Sequence, residues 1–167
     1  IAENAPIVPV SAQQRINIDA LIYAIEKTIP TPERDPKKPP KMLTARSFDV
    51  NKPGTPVSNL KGGVLGGSLL QGELKVGDEV EILPGIKVGD RFEGTVTKIT
   101  GLQKAMKNLD KAGPGGLLGV STLLDPAVAK SDSLAGNVVG YPGKMPPVWD
   151  NLTIESNLFE KVVGHKE

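Results

Sequence analysis

Glycines carry the clearest chemical signature in this sequence. Residues 60–68 read Leu-Lys-Gly-Gly-Val-Leu-Gly-Gly-Ser. A phosphate-binding loop requires Gly-Lys-Ser/Thr, so that the lysine reaches the phosphates and the hydroxyl reaches Mg²⁺. Here the lysine precedes the glycines and an apolar strand pattern follows, so this type of loop is not predicted. Glycines within a strand more often mark a bulge, a barrel bend, or the close approach of another backbone or a ligand.

Two shorter patterns imitate nucleotide-binding motifs. Residues 110–113 form an Asp-x-x-Gly sequence, but no strand is predicted before it. Asn51-Lys52 resembles the start of a guanine-reading Asn-Lys-x-Asp motif, yet Gly54 stands where the aspartate is needed. Both patterns are therefore interpreted as turns. The carboxylates form no evident acid–base pair, which gives no support to a hydrolase.

Composition excludes several classes of site. The chain has no cysteine, a single histidine (His165) and a formal net charge of +1. Disulfides and thiolate metal sites are therefore excluded, and a histidine-based metal site or catalytic triad has little to work with. No apolar run approaches the roughly 20 residues of a membrane span and no signal peptide opens the chain. A cytoplasmic protein with no membrane or DNA partner is expected.

One stretch is locally basic, and two interpretations of it remain open. It is either a solvated loop face or a modest phosphate-facing surface. Its six basic residues, against three acidic ones, are Lys87, Arg91, Lys98, Lys104, Lys107 and Lys111.

The first part of the chain predicts a strand, a turn and a helix. Residues 7–10 are apolar, and isoleucines and leucine recur at helical spacing over residues 18–29. Asn17 is a plausible N-cap, and Pro30 ends the helix. Because a lone strand and helix cannot bury their apolar faces, residues 1–33 are expected to be the last unit of a larger α/β domain. Residues 34–41 are then a proline-rich, semi-rigid linker.

After Lys41 the hydrophobic period changes to two. Alternation over residues 42–48, 79–83 and 95–99 predicts short strands, while residues 102–112 suggest a helical turn or a loop. Four Pro-Gly pairs predict turns with glycine at positive φ. A mainly β fold follows, with a closed antiparallel β-barrel over residues 42–148 and a strand in residues 149–167 that leads onward. The Pro-Gly pairs begin at Pro53, Pro84, Pro114 and Pro142.

Several long motifs resemble one family. Residues 46–54 read Arg-Ser-Phe-Asp-Val-Asn-Lys-Pro-Gly, and they precede the glycine-rich segment and residues 72–85, Gly-Glu-Leu-Lys-Val-Gly-Asp-Glu-Val-Glu-Ile-Leu-Pro-Gly. Pro-Gly-Gly-Leu-Leu-Gly at 114–119 and Leu-Phe-Glu-Lys-Val-Val-Gly at 158–164 continue the match. The sequence resembles the gamma-subunit family of archaeal and eukaryotic translation initiation factor two, the archaeal branch more closely. The sequence departs from the family pattern at Gly113, Ser121 and Leu123, and its segment at residues 85–95 is shorter than is usual in the family.

The resemblance implies a chain that holds the end of a GTP-binding domain and all of a second, barrel domain of the translational-GTPase type. Ser11, Ala12 and Gln13 match the family's final guanine-contact motif. GTP and Mg²⁺ are implied for the intact protein, whose phosphate loop, switches and main guanine motif would lie upstream. No cofactor binding or GTP hydrolysis is expected of this chain alone.

The implied function is delivery of methionylated initiator tRNA to the small ribosomal subunit, in a heterotrimer with alpha and beta subunits. The tRNA acceptor end is expected at Gly62, Gly63, Val64, Leu65, Gly66 and Gly67, with Lys98, Lys104 and Lys107 nearby. The alpha subunit is expected at Asn51, Lys52, Asp90 and Arg91, in the loops 51–59 and 84–94. Alternatives are the second domain of another tRNA carrier, of the selenocysteine-specific or elongation factor Tu type, or a pure subunit-docking module.

Overall fold

The computed structural model describes residues 5–149 and 151–156. The chain divides into two compact units, Ile1–Arg34 and Asp35–Glu167. Within the described residues, no helix is long and apolar enough to cross a membrane. His165 and the motif at residues 158–164 lie outside the described part of the chain.

The first unit is built around one helix, α1 (Ile18–Thr28). Asn17 occupies the N-cap position, as predicted, but its side chain does not cap the helix and instead donates to the Pro9 carbonyl over 3.0 Å. The predicted strand at residues 7–10 is not formed, since the described unit offers no neighbouring strand to pair with. The backbone there only closes a tight turn through an isolated bridge between Ser11 and Ile16. No side chain of α1 is buried.

The second unit is mainly β, as the alternating pattern predicted. It contains nine described strands, one short α-helix, α2 (Pro126–Ala129), and two 3₁₀ helices, Val57–Asn59 and Lys130–Asp132. The strands are β1 (Lys41–Phe48), β2 (Val64–Gln71), β3 (Leu74–Lys75), β4 (Glu79–Val88), β5 (Arg91–Lys104), β6 (Lys107–Leu109), β7 (Lys111–Ala112), β8 (Leu117–Thr122) and β9 (Val138–Gly140).

Six of the described strands close into an antiparallel barrel, which confirms the predicted fold class. The order around the barrel is β4-β9-β1-β2-β8-β5, and pairing of β5 with β4 completes the circle. Strand β6 extends the sheet beside the end of β5, while β3 and β7 form a separate small ladder. Closure leaves the six strands without a free edge, which protects them from pairing with other chains.

The buried core is mainly aliphatic, as expected for a chain with few aromatic residues, and a few small polar side chains such as Thr44, Thr97 and Thr122 are buried with it. Alternate residues of each strand point inward and are buried there. The fully buried side chains include Met42, Leu65, Leu69, Leu74, Val80, Ile82, Ile99, Val120 and Val139.

The Pro-Gly pairs have the expected glycine conformation, with φ of 83° at Gly54, 95° at Gly85, 100° at Gly115 and 69° at Gly143. Three of the pairs lie in turns or bends. Gly85 instead lies inside β4, where the pairing register with β5 shifts between Ile82 and Ile86. Residues 84–94, predicted as a loop, therefore form the outer end of a long β4–β5 hairpin.

Residues 102–112 also differ from the expectation of a helical turn or loop. The segment contains the end of β5 followed by β6 and β7, because it pairs with β8 and β3 as well as folding back on itself. The strand expected in residues 149–167 is not formed at residues 149 and 151–156, and the rest of that prediction lies outside the described residues.

Candidate nucleic-acid interface

Four strands bring distant residues into one row across the outside of the barrel. Arg46 of β1 pairs with Gly66 of β2, Gly66 pairs with Gly119 of β8, and Gly119 pairs with Gln103 of β5. Two facing glycines thus lie between a guanidinium group and a carboxamide. The backbone is uncovered by side chains at the centre of the row.

Three of the four glycines in residues 62–67 are required by the packing of the barrel itself. A Cβ on Gly62 would lie 2.0 Å from the Thr122 carbonyl oxygen, and one on Gly67 would lie 2.0 Å from that of Leu43. A Cβ on Gly63 would lie 2.5 Å from the Ala129 Cβ. Real Cβ atoms essentially never lie this close to another atom. Packing within the protein is therefore sufficient to explain why these three residues are glycines.

Gly66 and Gly119 are different, because both have room for a side chain. The nearest atom to a Cβ on Gly66 is the Arg46 Cβ at 3.6 Å, and the nearest to a Cβ on Gly119 is the Gln103 carbonyl oxygen at 3.7 Å. These are ordinary van der Waals distances, and neither glycine has a positive φ. Packing inside the described protein does not account for the missing side chains at either position.

Apolar side chains border this glycine pair. Phe48 is 40% exposed, Leu117 is 77% exposed and Met106 is 90% exposed. Together with the glycine pair they line a depression of about 670 Å³, which we call the outer groove. Arg46 and Lys104 also line it. A mainly apolar concavity with a few polar groups is the usual form of a small-molecule site.

Arg46 is held at the groove by an ion pair. Its Nε lies 2.9 Å from Oδ1 of Asp132, and the same oxygen accepts the Ser47 amide at 2.9 Å. The hydrogen bond from Arg46, and after it the one from Ser47, lower the pKa of the Asp132 carboxyl. Ser131 and Asp132 both have left-handed backbone, with φ of 56° and 60°. The ion pair between Arg46 and Asp132 therefore fixes the Nε edge of the guanidinium group and leaves the rest of that group facing solvent.

The structure brings only two of the three predicted lysines together. Lys104 lines the groove, and its ammonium donates to the Gly115 carbonyl over 2.8 Å. Lys107 is exposed on β6 opposite Lys104. Lys98 is exposed and lies opposite Glu79, outside the groove.

Val64 and Leu65 have little surface to offer a ligand. Leu65 is fully buried in the barrel core, and Val64 is only 8% exposed beneath a second, adjoining depression. The reason is that β2 is covered on the inside by the core and at Val64 by neighbouring residues on the outside. The apolar contacts expected from these two residues are instead available from Phe48, Leu117 and Met106.

The residues predicted to meet the alpha subunit lie at two exposed sites. The Asn51 carboxamide donates to Asp49 Oδ1 and to the Lys61 carbonyl, both at 2.7 Å, and accepts the Lys61 amide at 2.8 Å. Asn51 thus shapes the loop, while Lys52 lies in its exposed turn. Asp90 and Arg91 are exposed at the tip of the β4–β5 hairpin.

Ser11, Ala12 and Gln13 lie in the tight turn of the first unit. The Ser11 amide and carbonyl both bond Ile16, and the Ala12 carbonyl accepts the Arg15 amide at 3.3 Å. Ala12 is exposed, and its own N–H has no acceptor among residues 5–149 and 151–156. No group of three or more acidic, histidine or cysteine residues in that part of the chain could hold a metal ion.

Sequence reasoning missed five groove residues: Arg46, Phe48, Gln103, Met106 and Leu117. Phe48 and Leu117 do carry a weak signal, since each is a large apolar residue on the outward side of an alternating strand. The pairing of Gly66 with Gly119 has no such signal, because it depends on a strand register between distant parts of the chain.

Comparisons with known proteins agree with the motifs. The model of elongation factor Tu domain 2 matches residues 62–140. The chain is 57% identical to translation initiation factor 2 subunit gamma of Thermococcus kodakarensis and 59% identical to that of Pyrococcus horikoshii, over all of this chain and 42% of each relative. The Archaeoglobus fulgidus protein of the same name is 56% identical, again over the whole chain and 40% of the relative. The chain thus spans about two fifths of these relatives, and it belongs to the gamma-subunit family of translation initiation factor 2.

Proposed function

We propose that the protein containing this chain carries methionylated initiator tRNA to the small ribosomal subunit, and that the barrel holds the tRNA acceptor end in the outer groove. The observation that carries this proposal is the facing pair Gly66 and Gly119. Both positions lack side chains for which the barrel has room, so the bare backbone is explained by a ligand that lies against it.

The chemistry of the groove suits the terminal adenosine of a tRNA. A purine is flat and apolar on its faces, and base stacking on aromatic side chains is a common mode of single-strand recognition. Phe48 and Leu117 supply apolar contact, while Gln103 and Arg46 supply donors for base or ribose oxygens and nitrogens. The methionyl group is also apolar and fits the exposed Met106 side of the groove.

A matched pair of glycine substitutions tests this site. Gly119→Val in a full-length gamma subunit places two methyl groups in the groove, whereas Gly113→Val adds the same atoms at an exposed glycine with no described atom within 4 Å of its Cβ. Gly119→Val is expected to weaken binding of methionylated initiator tRNA at least tenfold, or about 1.4 kcal/mol. Gly113→Val is expected to bind normally. Equal binding by both folded variants would rule out the outer groove as the acceptor-end site.

Guanine nucleotide binding is proposed for the intact protein and not for this chain alone. The exposed Ala12 amide, which has no described acceptor, supplies one donor suited to a guanine oxygen. The residues described here supply neither a phosphate loop nor a cluster suited to Mg²⁺. In a complete protein, GTP with Mg²⁺ would provide the switch that controls tRNA release, and a cytoplasmic location follows from that role.

A second proposed role is docking of the alpha subunit at the exposed turn with Asn51 and Lys52 and at the hairpin tip with Asp90 and Arg91. Both are exposed turns on a rigid barrel, which is where binding residues are commonly found. Partnership with a beta subunit through the nucleotide-binding part is proposed with it. A barrel that docked subunits but did not contact tRNA would bind the alpha subunit normally after Gly119→Val and show no tRNA defect.

A further inference from the structure

Lys104 connects two turns at the edge of the outer groove. It is the last residue of β5, and the next two residues, Ala105 and Met106, form the left-handed turn into β6, with φ of 47° and 65°. Its ammonium donates over 2.8 Å to the carbonyl oxygen of Gly115, in the turn that precedes β8. This bond is partly buried, unlike the usual fully solvated contact of a surface lysine.

The turn at residues 114–116 is shaped to receive this lysine. The Gly115 amide donates to the Leu69 carbonyl over 2.9 Å, and the Ser68 hydroxyl donates to the Gly116 carbonyl over 3.0 Å. Gly116 has a φ of 68°, and a Cβ there would lie 3.0 Å from Lys104 Cε. Glycine at 116 therefore serves both the backbone conformation and the space occupied by the lysine side chain.

We propose that Lys104 is a positioning residue that sets the width of the outer groove. It ties the turn carrying Met106 to the turn that leads directly into Leu117, and these two side chains form apolar edges of the groove. The proposal rests on the proposed function, since the groove is taken as the site of the terminal adenosine. One of the three donors of the ammonium is used within the protein, and the proposal assigns Lys104 to the shape of the groove rather than to a phosphate contact.

Binding to two RNAs separates these roles. A full-length gamma subunit with Lys104→Met, Lys104→Arg or Lys107→Met is titrated with methionylated initiator tRNA and with the same tRNA lacking its terminal adenosine, at several salt concentrations and per folded protein. Lys104→Met is expected to weaken binding of the complete tRNA five- to tenfold, with no effect on the shortened tRNA and no change in the salt dependence. Lys104→Arg retains most of the affinity. A phosphate contact would instead weaken both RNAs and reduce the slope of log K against log salt by about 0.7, which would overturn the proposal.

Amide hydrogen exchange tests the positioning role without tRNA. In Lys104→Met, exchange at Gly115, Gly116 and Leu117 is expected to rise at least fivefold, whereas Lys107→Met, which removes a cation from the same hairpin, leaves it unchanged. Unchanged exchange in Lys104→Met would overturn the positioning role whatever the tRNA result. If exchange rises but the wild-type protein binds both RNAs equally, the positioning role stands and the proposed acceptor-end site fails.

Discussion

Replacing Gly66 by valine fills the floor of the outer groove while leaving the barrel interior untouched. The new Cβ would lie 3.6 Å from the Arg46 Cβ and 3.7 Å from the Phe48 ring, both ordinary contacts. Glycine in a strand costs roughly 0.5–1 kcal/mol relative to alanine, and valine favours extended backbone. The free energy of unfolding is therefore expected to stay constant or to rise by up to about 1 kcal/mol.

Gly67→Val is the matched control, one residue away on the same strand. Its Cβ would lie 2.0 Å from the Leu43 carbonyl oxygen and 3.1 Å from Met42 Cε. Overpacking of this kind typically costs about 1–3 kcal/mol and sometimes more. Gly63→Val should behave in the same way, because its Cβ would lie 2.5 Å from the Ala129 Cβ.

Urea unfolding of this chain and tRNA binding by the full-length protein separate the two effects. Gly66→Val is expected to be as stable as the wild type and to bind methionylated initiator tRNA at least tenfold more weakly, about 1.4 kcal/mol. Gly67→Val is expected to lose stability first, with tRNA binding proportional to the folded fraction. A fully folded Gly66→Val protein with normal tRNA affinity would refute the reasoning that links the bare backbone to a ligand.

Three further predictions concern other parts of the chain. Burial, and then the hydrogen bond to Asp78, raise the pKa of Tyr141 from 10.0 to about 12. The folded protein thus holds this proton more tightly than the unfolded chain. The resulting contribution to the free energy of unfolding is present below about pH 10 and is lost between about pH 10 and 12. Urea unfolding at each pH is expected to show this loss in the wild type and not in Tyr141→Phe. A double Asp90→Ala and Arg91→Ala variant is expected to weaken a pull-down of the alpha subunit, and an undiminished complex would contradict that assignment. Titration of this chain with a fluorescent GTP analogue is expected to show no micromolar, Mg²⁺-dependent binding, since the Ala12 amide alone cannot replace a phosphate cradle.

The barrel was predictable from sequence because its signals are local. Alternating apolar residues and Pro-Gly pairs report on the strand and turn in which they occur, and all four glycines of these pairs have the expected positive φ. The β4–β5 hairpin and the strands in residues 102–112 were underestimated for the opposite reason. Their backbone is ordered by pairing between strands: residues 84–94 pair with each other, and residues 102–112 pair with β8 and β3 as well as with each other. The propensity of a single segment does not report on that pairing.

The candidate site was only partly predictable. Gly63, Gly66 and Gly67 look alike in sequence, yet two of them are explained by atoms of the barrel interior and one is not. Distinguishing them requires knowing which carbonyl or side chain lies across from each, and this depends on the register of β1, β2 and β8. Lys104 shows the same limit, since its partner Gly115 is brought to it only by the fold.

The first and last strands of the barrel are neighbours, and this has a mechanical consequence. Lys41 at the start of β1 pairs with Gly140 at the end of β9, so the chain enters and leaves the barrel at one point. A pulling force between the flanking segments would load this pair first, in an unzipping geometry that breaks hydrogen bonds one at a time. The remainder of the barrel would bear little of the load until the three residue pairs between β1 and β9 had separated. Both flanking segments thus join the barrel at the same place. Movement of these segments can therefore reposition the barrel without deforming the outer groove.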